Sequence, residues 1–261
     1  EECERALVHL EQVILLEGPS TVSALVLEPV TGSSGVIVPP AGYLQGVREL
    51  CTRHGIVLIA DEVLVGFGRT GAWFGVDHDR VAPDLLVFAK GVNSGYVPLG
   101  GVLVGDPIYE TFTRRPYPAG MTYSGHPLAC AAAVGAIRAM HSEGTVSAAA
   151  HLGTDILGPG LTKLAENHPC IGDVRGIGGL WTIELVRDRQ TKEPLVPAGA
   201  TGEANAPMTA FTKACLGHGL VPLVLGNRIH VAPPLNVSDI EAATGLAILD
   251  EALAEPDAFL A

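Results

Sequence analysis

The sequence has few basic residues and no long apolar run. Lys and Arg together number 16 against 28 Asp and Glu, which gives a formal net charge of -12. Proteins that bind the phosphates of nucleic acids carry clustered Lys and Arg, so this balance argues against nucleic acid as a partner. Hydrophobic residues make up 48% of the chain, but Gly, Pro or a charge interrupts each apolar stretch before the ~18 residues that a membrane helix needs. We therefore expect no membrane span.

The cysteines lack the spacing of a metal site or of a disulfide framework. They form no CxxC pair, and no pair of histidines at metal-ligand spacing lies near them. No metal is expected, and a reducing cytoplasm is the predicted location. GxSxG and Walker sequences are also absent, and GIGG at residues 176–179 lacks the full GxGxxG spacing of a dinucleotide loop. The five cysteines are Cys3, Cys51, Cys130, Cys170 and Cys215.

The N-terminus resembles neither a secretory signal nor a natural start. Residues 1–16, EECERALVHLEQVILL, begin within the pattern of an amphipathic helix and lack an initiating Met. A secretory signal would have a basic segment followed by an apolar core. We expect that an upstream part of the protein is missing.

Apolar runs typical of buried strands alternate with other segments in the first half of the chain. Residues 43–54 place apolar side chains at helical spacing, and Gly55 follows as a helix cap. Continuously apolar strands that alternate with helices predict an α/β fold, with a mainly parallel sheet covered by helices on both faces. The strand-like runs are VSALVLEPV (22–30), GIVLIADEV (55–63), PDLLVFAKG (83–91) and GGVLVG (100–105).

The pattern changes in the second half, where we predict a smaller C-terminal α/β domain. An Ala-rich helix is expected at residues 126–140, and a second helical region at 145–166 is expected to break at Gly158 and Gly160. The predicted domains are residues 1–145 and 146–261. Strand-like segments follow at residues 174–186, GLVPLVL and NRIHVAPPL. A Gly/Pro/Ala-rich surface loop is expected at 194–207, between the first and second of these. A long helix then begins with Ser238 as N-cap.

An acid and a lysine end two of the predicted parallel strands. The run IVLIADEV brings Asp61 and Glu62 to the carboxyl edge of the sheet, and DLLVFAKG brings Lys90 to the same edge, where ligands of such sheets bind. One interpretation is a buried salt bridge between Asp61 and Lys90. The other is a Schiff-base site, in which the desolvated lysine attacks an aldehyde and the carboxylate keeps a pyridine nitrogen protonated.

The long blocks around these residues resemble the signature of the class III aminotransferases. The blocks are DEVLVGFGRTGAWFG and PDLLVFAKGVNSGYVPLGGVLV, and the resemblance continues through TYSGHPLACAAA (122–133) and VRGIGGLWTIEL to VAPPL. It covers essentially the whole chain. The resemblance implies fold type I of the pyridoxal-phosphate enzymes, with pyridoxal 5'-phosphate as cofactor and residues 1–145 as the remainder of the cofactor-binding domain.

The same resemblance implies roles for individual residues. Asp61 would pair with the pyridine nitrogen, Val63 would pack against the ring, Lys90 would form the Schiff base and shuttle protons, and Thr122 would bind the phosphate. Because that threonine reaches the neighbouring subunit in this family, a homodimer with shared sites is implied. Plain core packing remains an alternative for Val63, and a turn role remains one for Thr122.

Two residues are implied near the substrate. Glu28, at the end of LEPV, matches a family glutamate near the pocket, with a structural hydrogen bond as the alternative. Arg228 lies two residues before the point where many relatives place a carboxylate-binding arginine, and His230 occupies that point. Because side chains alternate along a strand, Arg228 and His230 would share a face.

The resemblance implies a transaminase that moves an amino group from a donor to a 2-oxo acid. Leu64 replaces a glutamine of many glutamate-using relatives, which favours the branch that uses ω-amino acids or taurine. Two alternatives remain: a non-transaminating enzyme of the same fold, such as an aminomutase or racemase, and an inactive fragment that acts as a binding module. The family's N-terminal phosphate loop and stacked aromatic residue have no counterpart here.

Overall fold

The computed structural model describes residues 1–260, whose eight strands form two four-stranded sheets. The chain divides into two units, and each contains one sheet. Unit 1 comprises Glu1–Gly32 and Val38–Val146, and unit 2 comprises Ser33–Ile37 and the chain from Ser147 onward. That unit 1 is the remainder of a cofactor-binding domain stays a prediction.

Unit 1 contains four complete helices and four strands. The helices are α1 (Glu2–Glu17), α2 (Tyr43–His54), α3 (Asp106–Thr113) and α4 (Pro127–Glu143). The strands are β1 (Ala24–Leu27), β2 (Val57–Asp61), β3 (Leu85–Phe88) and β4 (Gly101–Val104).

The sheet of unit 1 has the order β1-β2-β3-β4, and its first three strands are parallel. The register pairs Leu27 with Ala60 and Asp61 with Val87, so the carboxyl ends of these strands meet at one edge. β4 runs antiparallel to β3. The segment between them contains only a short 3-10 turn, Lys90–Asn93, whereas a parallel return needs a longer crossover, usually an α-helix. The predicted α/β fold with a mainly parallel sheet is confirmed.

Helix α2 packs on this sheet through the apolar face that its sequence predicts. Val47 and Cys51 are fully buried against Ile14 of α1 and Leu58 of β2. Each fully buried aliphatic side chain contributes about 1.5–3 kcal/mol. Gly55 ends the helix in the left-handed conformation, with φ of 68°, and its amide bonds to the carbonyl of Thr52.

Unit 2 has an antiparallel sheet of order β5-β6-β8-β7. Its strands are β5 (Ile171–Ile177), β6 (Leu180–Leu185), β7 (Leu223–Leu225) and β8 (Arg228–Val231). Its helices are α5 (Thr145–His151, which begins at the end of unit 1), α6 (Gly158–Asn167), α7 (Ala206–Gly217) and α8 (Asp239–Asp257). Ser238 caps α8 as predicted, in a capping box with Glu241.

Two local features of unit 2 differ from the sequence predictions. The helical region after residue 145 does not break at Gly158 and Gly160, since both lie within α6. A π-helical turn, Leu152–Leu157, links α5 to α6. Gly153 lies so close to the backbone of Gly178 that an added Cβ would come within 2.5 Å of it. The run at residues 174–186 is a hairpin rather than one strand, since β5 and β6 turn at Gly178, whose φ is 54°.

The core of unit 2 lies between its sheet and its helices. Phe211 of α7, Ile183 of β6 and Leu253 of α8 are among its fully buried side chains. Leu195 and Val196, in the predicted surface loop, are also buried in this core. None of the helices within residues 1–260 is long and apolar enough to cross a membrane.

Candidate active site

Three predicted site residues follow neighbouring strands at the carboxyl edge of the unit 1 sheet. Glu28 comes directly after β1, Asp61 is the last residue of β2, and Lys90 comes two residues after β3. The strands are adjacent and parallel, so the fold brings one acid from each of two strands and a lysine from the third to a single edge. Ligands of open α/β sheets bind at such edges.

Asp61 is half-buried and oriented by its own chain. Its Oδ1 accepts a hydrogen bond of 3.0 Å from the amide of Val63. A carboxylate has about four lone-pair sites, so this bond leaves it able to accept a further donor. Val63 is itself half-buried and lies two residues after the end of β2.

Lys90 has an exposed side chain, whereas the sequence predicts a buried or desolvated one, and it has a left-handed backbone. Its φ is 42°, which is uncommon for a residue with a side chain and costs free energy. Gly91 follows where a Cβ would approach Phe67 Cβ to 3.0 Å. Within residues 1–260 Lys90 makes no ion pair with Asp61, so the alternative of a structural salt bridge is not observed.

An apolar cluster supports the turn that carries Lys90. Helix α4 packs against this turn, and Val92 is buried with Phe67, Ala133 and Met140. The ring of Phe67 meets those of Phe74 and Phe88 edge to face, at centroid distances of 5.4 and 5.7 Å. Such aromatic pairs add about 0.5–1.5 kcal/mol to their area burial. The turn that carries Lys90 is therefore well packed, while the side chain of Lys90 is exposed.

Glu62 is a residue that the sequence places at the same edge as Asp61 without a specific role. It is fully buried beside Asp61, and its carboxylate accepts hydrogen bonds from the amides of Gly75 and Val76. Burial raises the pKa of Glu62, while these two amides act to lower it. Its partners are backbone groups 13 and 14 residues later, which no sequence motif identifies.

The remaining unit 1 residues differ in their surroundings. Thr122 lies in an exposed turn between α3 and α4. Glu28 is half-buried, and its Oε2 accepts a hydrogen bond of 2.9 Å from the amide of Gly32. The structural hydrogen bond considered as the alternative for Glu28 is therefore present. The part of the chain that the structure describes contains no group of three or more His, Cys, Asp or Glu side chains arranged for a metal ion.

Arg228 and His230 lie in unit 2, on the same face of β8. In the register between β8 and β6, Arg228 lies opposite Glu184, and His230 lies opposite Thr182. Arg228 Nη1 donates a hydrogen bond to the carbonyl of Ser34. His230 is buried, and burial first, then the charges of Arg228 and Arg175, lower its pKa.

Both side chains also contain a buried nitrogen without a partner. Among residues 1–260, Arg228 Nε and His230 Nε2 accept or donate no hydrogen bond. Such atoms are costly in a folded protein, and native structures contain few of them. Their position is consistent with a polar face of β8 rather than with simple core packing.

The chain matches the family profile of the class III aminotransferases across residues 1–253. Taurine–pyruvate aminotransferase of Rhodobacter capsulatus is 39% identical over 241 residues, which cover 90% of this chain and 50% of that protein. Putrescine–pyruvate aminotransferase of Pseudomonas aeruginosa is 38% identical over 228 residues, covering 87% of this chain and 48% of that protein. The chain thus spans about half the length of these curated relatives.

A solved structure agrees with these sequence matches. Taurine:2-oxoglutarate aminotransferase from Bifidobacterium kashiwanohense, in complex with pyridoxal phosphate and glutamate, superposes with a TM-score of 0.93 at 36% identity. The match covers 99% of this chain and 57% of that one. The fold is therefore that of the fold type I pyridoxal-phosphate transaminases.

Proposed function

This chain belongs to the class III aminotransferases, and on that premise we propose that the protein moves an amino group from an amino donor to a 2-oxo acid with pyridoxal phosphate as cofactor. The observation that carries the proposal is the sheet edge of unit 1. There Lys90, which is exposed and has no ion pair within residues 1–260, and an oriented Asp61 lie at the ends of neighbouring parallel strands.

The residues at this edge fit the cofactor chemically. An exposed primary amine, that of Lys90, is available to bond to an aldehyde. Asp61 keeps acceptor capacity beyond its bond to the Val63 amide, so it suits a protonated ring nitrogen. When bound, the cofactor supplies a ring that withdraws electrons from the carbon that loses a proton.

Each protein group then has a definite task. Lys90 Nζ would hold the cofactor through its aldehyde carbon. Its amine, once freed by the donor amine, would move the proton of the donor's amino-bearing carbon, first as a general base and then as a general acid. Asp61 would keep the ring nitrogen protonated, because its negative charge favours the charged ring.

Four further residues have proposed binding roles. Val63 would pack against the ring face, and the Thr122 hydroxyl would bind the phosphate of a partner subunit's cofactor, which would make the active protein a homodimer. Arg228 binds the acidic group of the substrate, which the partnerless Arg228 Nε supports. Glu28 lies near the substrate, although its bond to the Gly32 amide also holds the chain locally. A cytoplasmic location is proposed from the absence of disulfides among the five free cysteines.

The proposed amino donor is an ω-amino acid or amine such as taurine. Relatives named for taurine and putrescine support a donor whose amino group is terminal. Leu64, an apolar and half-buried residue three positions after Asp61, agrees with that branch. The acceptor is a 2-oxo acid such as pyruvate.

Borohydride trapping tests the proposal at its central residue. Purified chain is mixed with pyridoxal phosphate, reduced with borohydride, digested and mapped by mass spectrometry. The cofactor mass is expected on Lys90, and it is expected to disappear in Lys90→Ala. Lys163, exposed on α6, serves as a control for nonspecific labelling. Equal labelling of Lys163 and Lys90, or no labelling of Lys90, would refute the assignment.

A further inference from the structure

Glu62 joins the end of β2 to a segment that returns much later in the chain. Its Oε2 accepts a hydrogen bond of 2.8 Å from the Gly75 amide, and its Oε1 accepts one of 2.9 Å from the Val76 amide. The residue is fully buried. Residues 62 to 76 thus form a closed loop that begins and ends at one carboxylate.

The backbone of Glu62 is fixed as firmly as its side chain. Its amide donates to the carbonyl of Val87 on β3 at 2.8 Å, and its carbonyl accepts from the Gly66 amide at 2.9 Å. Within the loop, the Phe67 amide bonds to the carbonyl of Trp73 at 2.7 Å. The two carboxylate oxygens, the amide and the carbonyl of Glu62 are therefore all hydrogen-bonded.

The returning segment leaves Glu62 little room to move. A Cβ at Gly75 would lie 3.0 Å from Pro29 Cβ, 3.2 Å from Val65 Cγ2 and 3.4 Å from Glu62 Oε1. A buried carboxylate is stable only when donors satisfy it, and here two amides do so. Loss of this acceptor would leave both amides buried without a partner, which is unfavourable.

We call the pair of hydrogen bonds from the Gly75 and Val76 amides to the Glu62 carboxylate the clamp. The position of Glu62 in the chain connects this clamp to Asp61. Glu62 stands between Asp61 and Val63, and the Val63 amide donates to Asp61 Oδ1. The direction of that amide depends on the backbone of Glu62, because the peptide plane joins the two residues. Movement of Glu62 would therefore turn the donor that orients the Asp61 carboxylate.

We propose that Glu62 is a positioning residue: by clamping the Gly75–Val76 amides it fixes the Val63 amide, and through it the orientation of the Asp61 carboxylate. The meaning of this orientation for the cofactor rests on the proposed function. The mechanical link itself concerns only residues 61 to 76 and exists in the chain without any ligand.

Glu62→Gln is the informative variant, and Asp84→Asn is its matched control. Glutamine keeps the size of Glu62, but its NH2 group cannot accept the second amide. Asp84 is also an acid that holds a backbone amide, since its Oδ2 accepts from Leu58 at 2.7 Å and from Arg48 Nη1 at 2.7 Å. It precedes β3 and therefore lies at the opposite edge of the sheet from Asp61.

Amide hydrogen exchange by NMR measures the link in the chain without cofactor. In Glu62→Gln, exchange at Gly75, Val76 and Val63 is expected to accelerate by about tenfold or more, the effect of losing a hydrogen bond to a charged acceptor. In Asp84→Asn, Leu58 is expected to accelerate and Val63 to keep its wild-type rate. Faster exchange at Gly75 and Val76 with an unchanged Val63 would overturn the proposal, because Glu62 would then hold only the loop.

A second measurement covers the case in which Glu62→Gln does not fold. In the wild-type chain, the amides of Val63, Gly75 and Val76 are expected to exchange through one common opening as urea is added, separate from that of Leu58. An independent opening of Val63 would overturn the proposal. Borohydride trapping at Lys90 tests the proposed function separately, and its failure in the wild type would leave the exchange result standing.

Discussion

The left-handed backbone of Lys90 predicts an unusual order of stability for two variants. Both Lys90→Gly and Lys90→Ala remove the amine, so both are expected to lose cofactor attachment. Lys90 has a φ of 42°, where a residue with a Cβ loses about 1–2 kcal/mol. Glycine avoids this cost but loses about 0.5–1 kcal/mol more conformational entropy than alanine on folding. Lys90→Gly is therefore expected to be the more stable variant, by about 0.5–1 kcal/mol.

The same pair of substitutions at Arg138 provides the control. Arg138 is exposed in the middle of α4, in the same unit as Lys90. In a helix interior glycine is about 1 kcal/mol worse than alanine, so the order reverses there. The difference between the two pairs is then about 1.5–2 kcal/mol.

Urea unfolding followed by circular dichroism measures all four variants. At constant slope, a shift in the midpoint reports stability alone. Lys90→Ala as stable as Lys90→Gly, or the same order at both positions, would refute the claim that strain is stored at Lys90. A large effect at Lys90 alone would support it.

Three further variants test other contacts. Asp61→Asn is expected to weaken binding of pyridoxal phosphate about tenfold or more by spectroscopic titration, since a hydrogen bond to a charged group contributes about 1.5–3 kcal/mol. Arg189→Lys is expected to lower stability by about 1–2 kcal/mol in urea, because a single ammonium cannot replace a guanidinium that bonds to four backbone carbonyls between Ala165 and Ile171. His230 has a pKa lowered from 6.5, so the unfolded chain binds its proton first as the pH falls, and the wild type is expected to lose stability below about pH 6.5. His230→Gln is expected to flatten that dependence in urea midpoints measured from pH 7.5 to 5.5.

Each of these three predictions has an outcome that would contradict it. Asp77→Asn, which removes an exposed acid that accepts from the Phe74 amide, is the control for Asp61→Asn, and equal loss of binding in both would point to general damage. Unchanged stability in Arg189→Lys would mean that the four carbonyls are satisfied by water. A pH dependence that persists in His230→Gln would assign it to other groups.

Local signals in the sequence predict much of unit 1. The apolar spacing of Val47 and Cys51, with Gly55 after them, predicts α2, and the continuous apolar runs predict the parallel strands. Because parallel strands end at the same edge, the pattern alone places Asp61 and Lys90 together. The roles of these residues came from the resemblance to a family and stay predictions.

Contacts between distant parts of the chain were not predictable in this way. The clamp of Glu62 on the Gly75 and Val76 amides involves backbone groups, which leave no mark in the sequence. Helix α6 continues through Gly158 and Gly160, where the sequence predicts a break. It is joined to α5 by the π-helical turn Leu152–Leu157, in which Gly153 packs against the hairpin at Gly178. The antiparallel direction of β4 follows from the lack of a helix after Lys90, which an apolar run of its length does not reveal.

The short segment Ser33–Ile37 makes the two units inseparable by a single cut. The chain passes from unit 1 to unit 2 after Gly32, returns after Ile37, and passes again after Val146. Gly35 offers its carbonyl to Arg175 Nε at 2.8 Å, so a polypeptide that begins at Ser147 would lack this acceptor for a side chain of its own strand β5. Gene shuffling that exchanged only the stretch after Val146 between relatives would therefore transplant an incomplete module, and any such exchange must carry the Ser33–Ile37 segment with it.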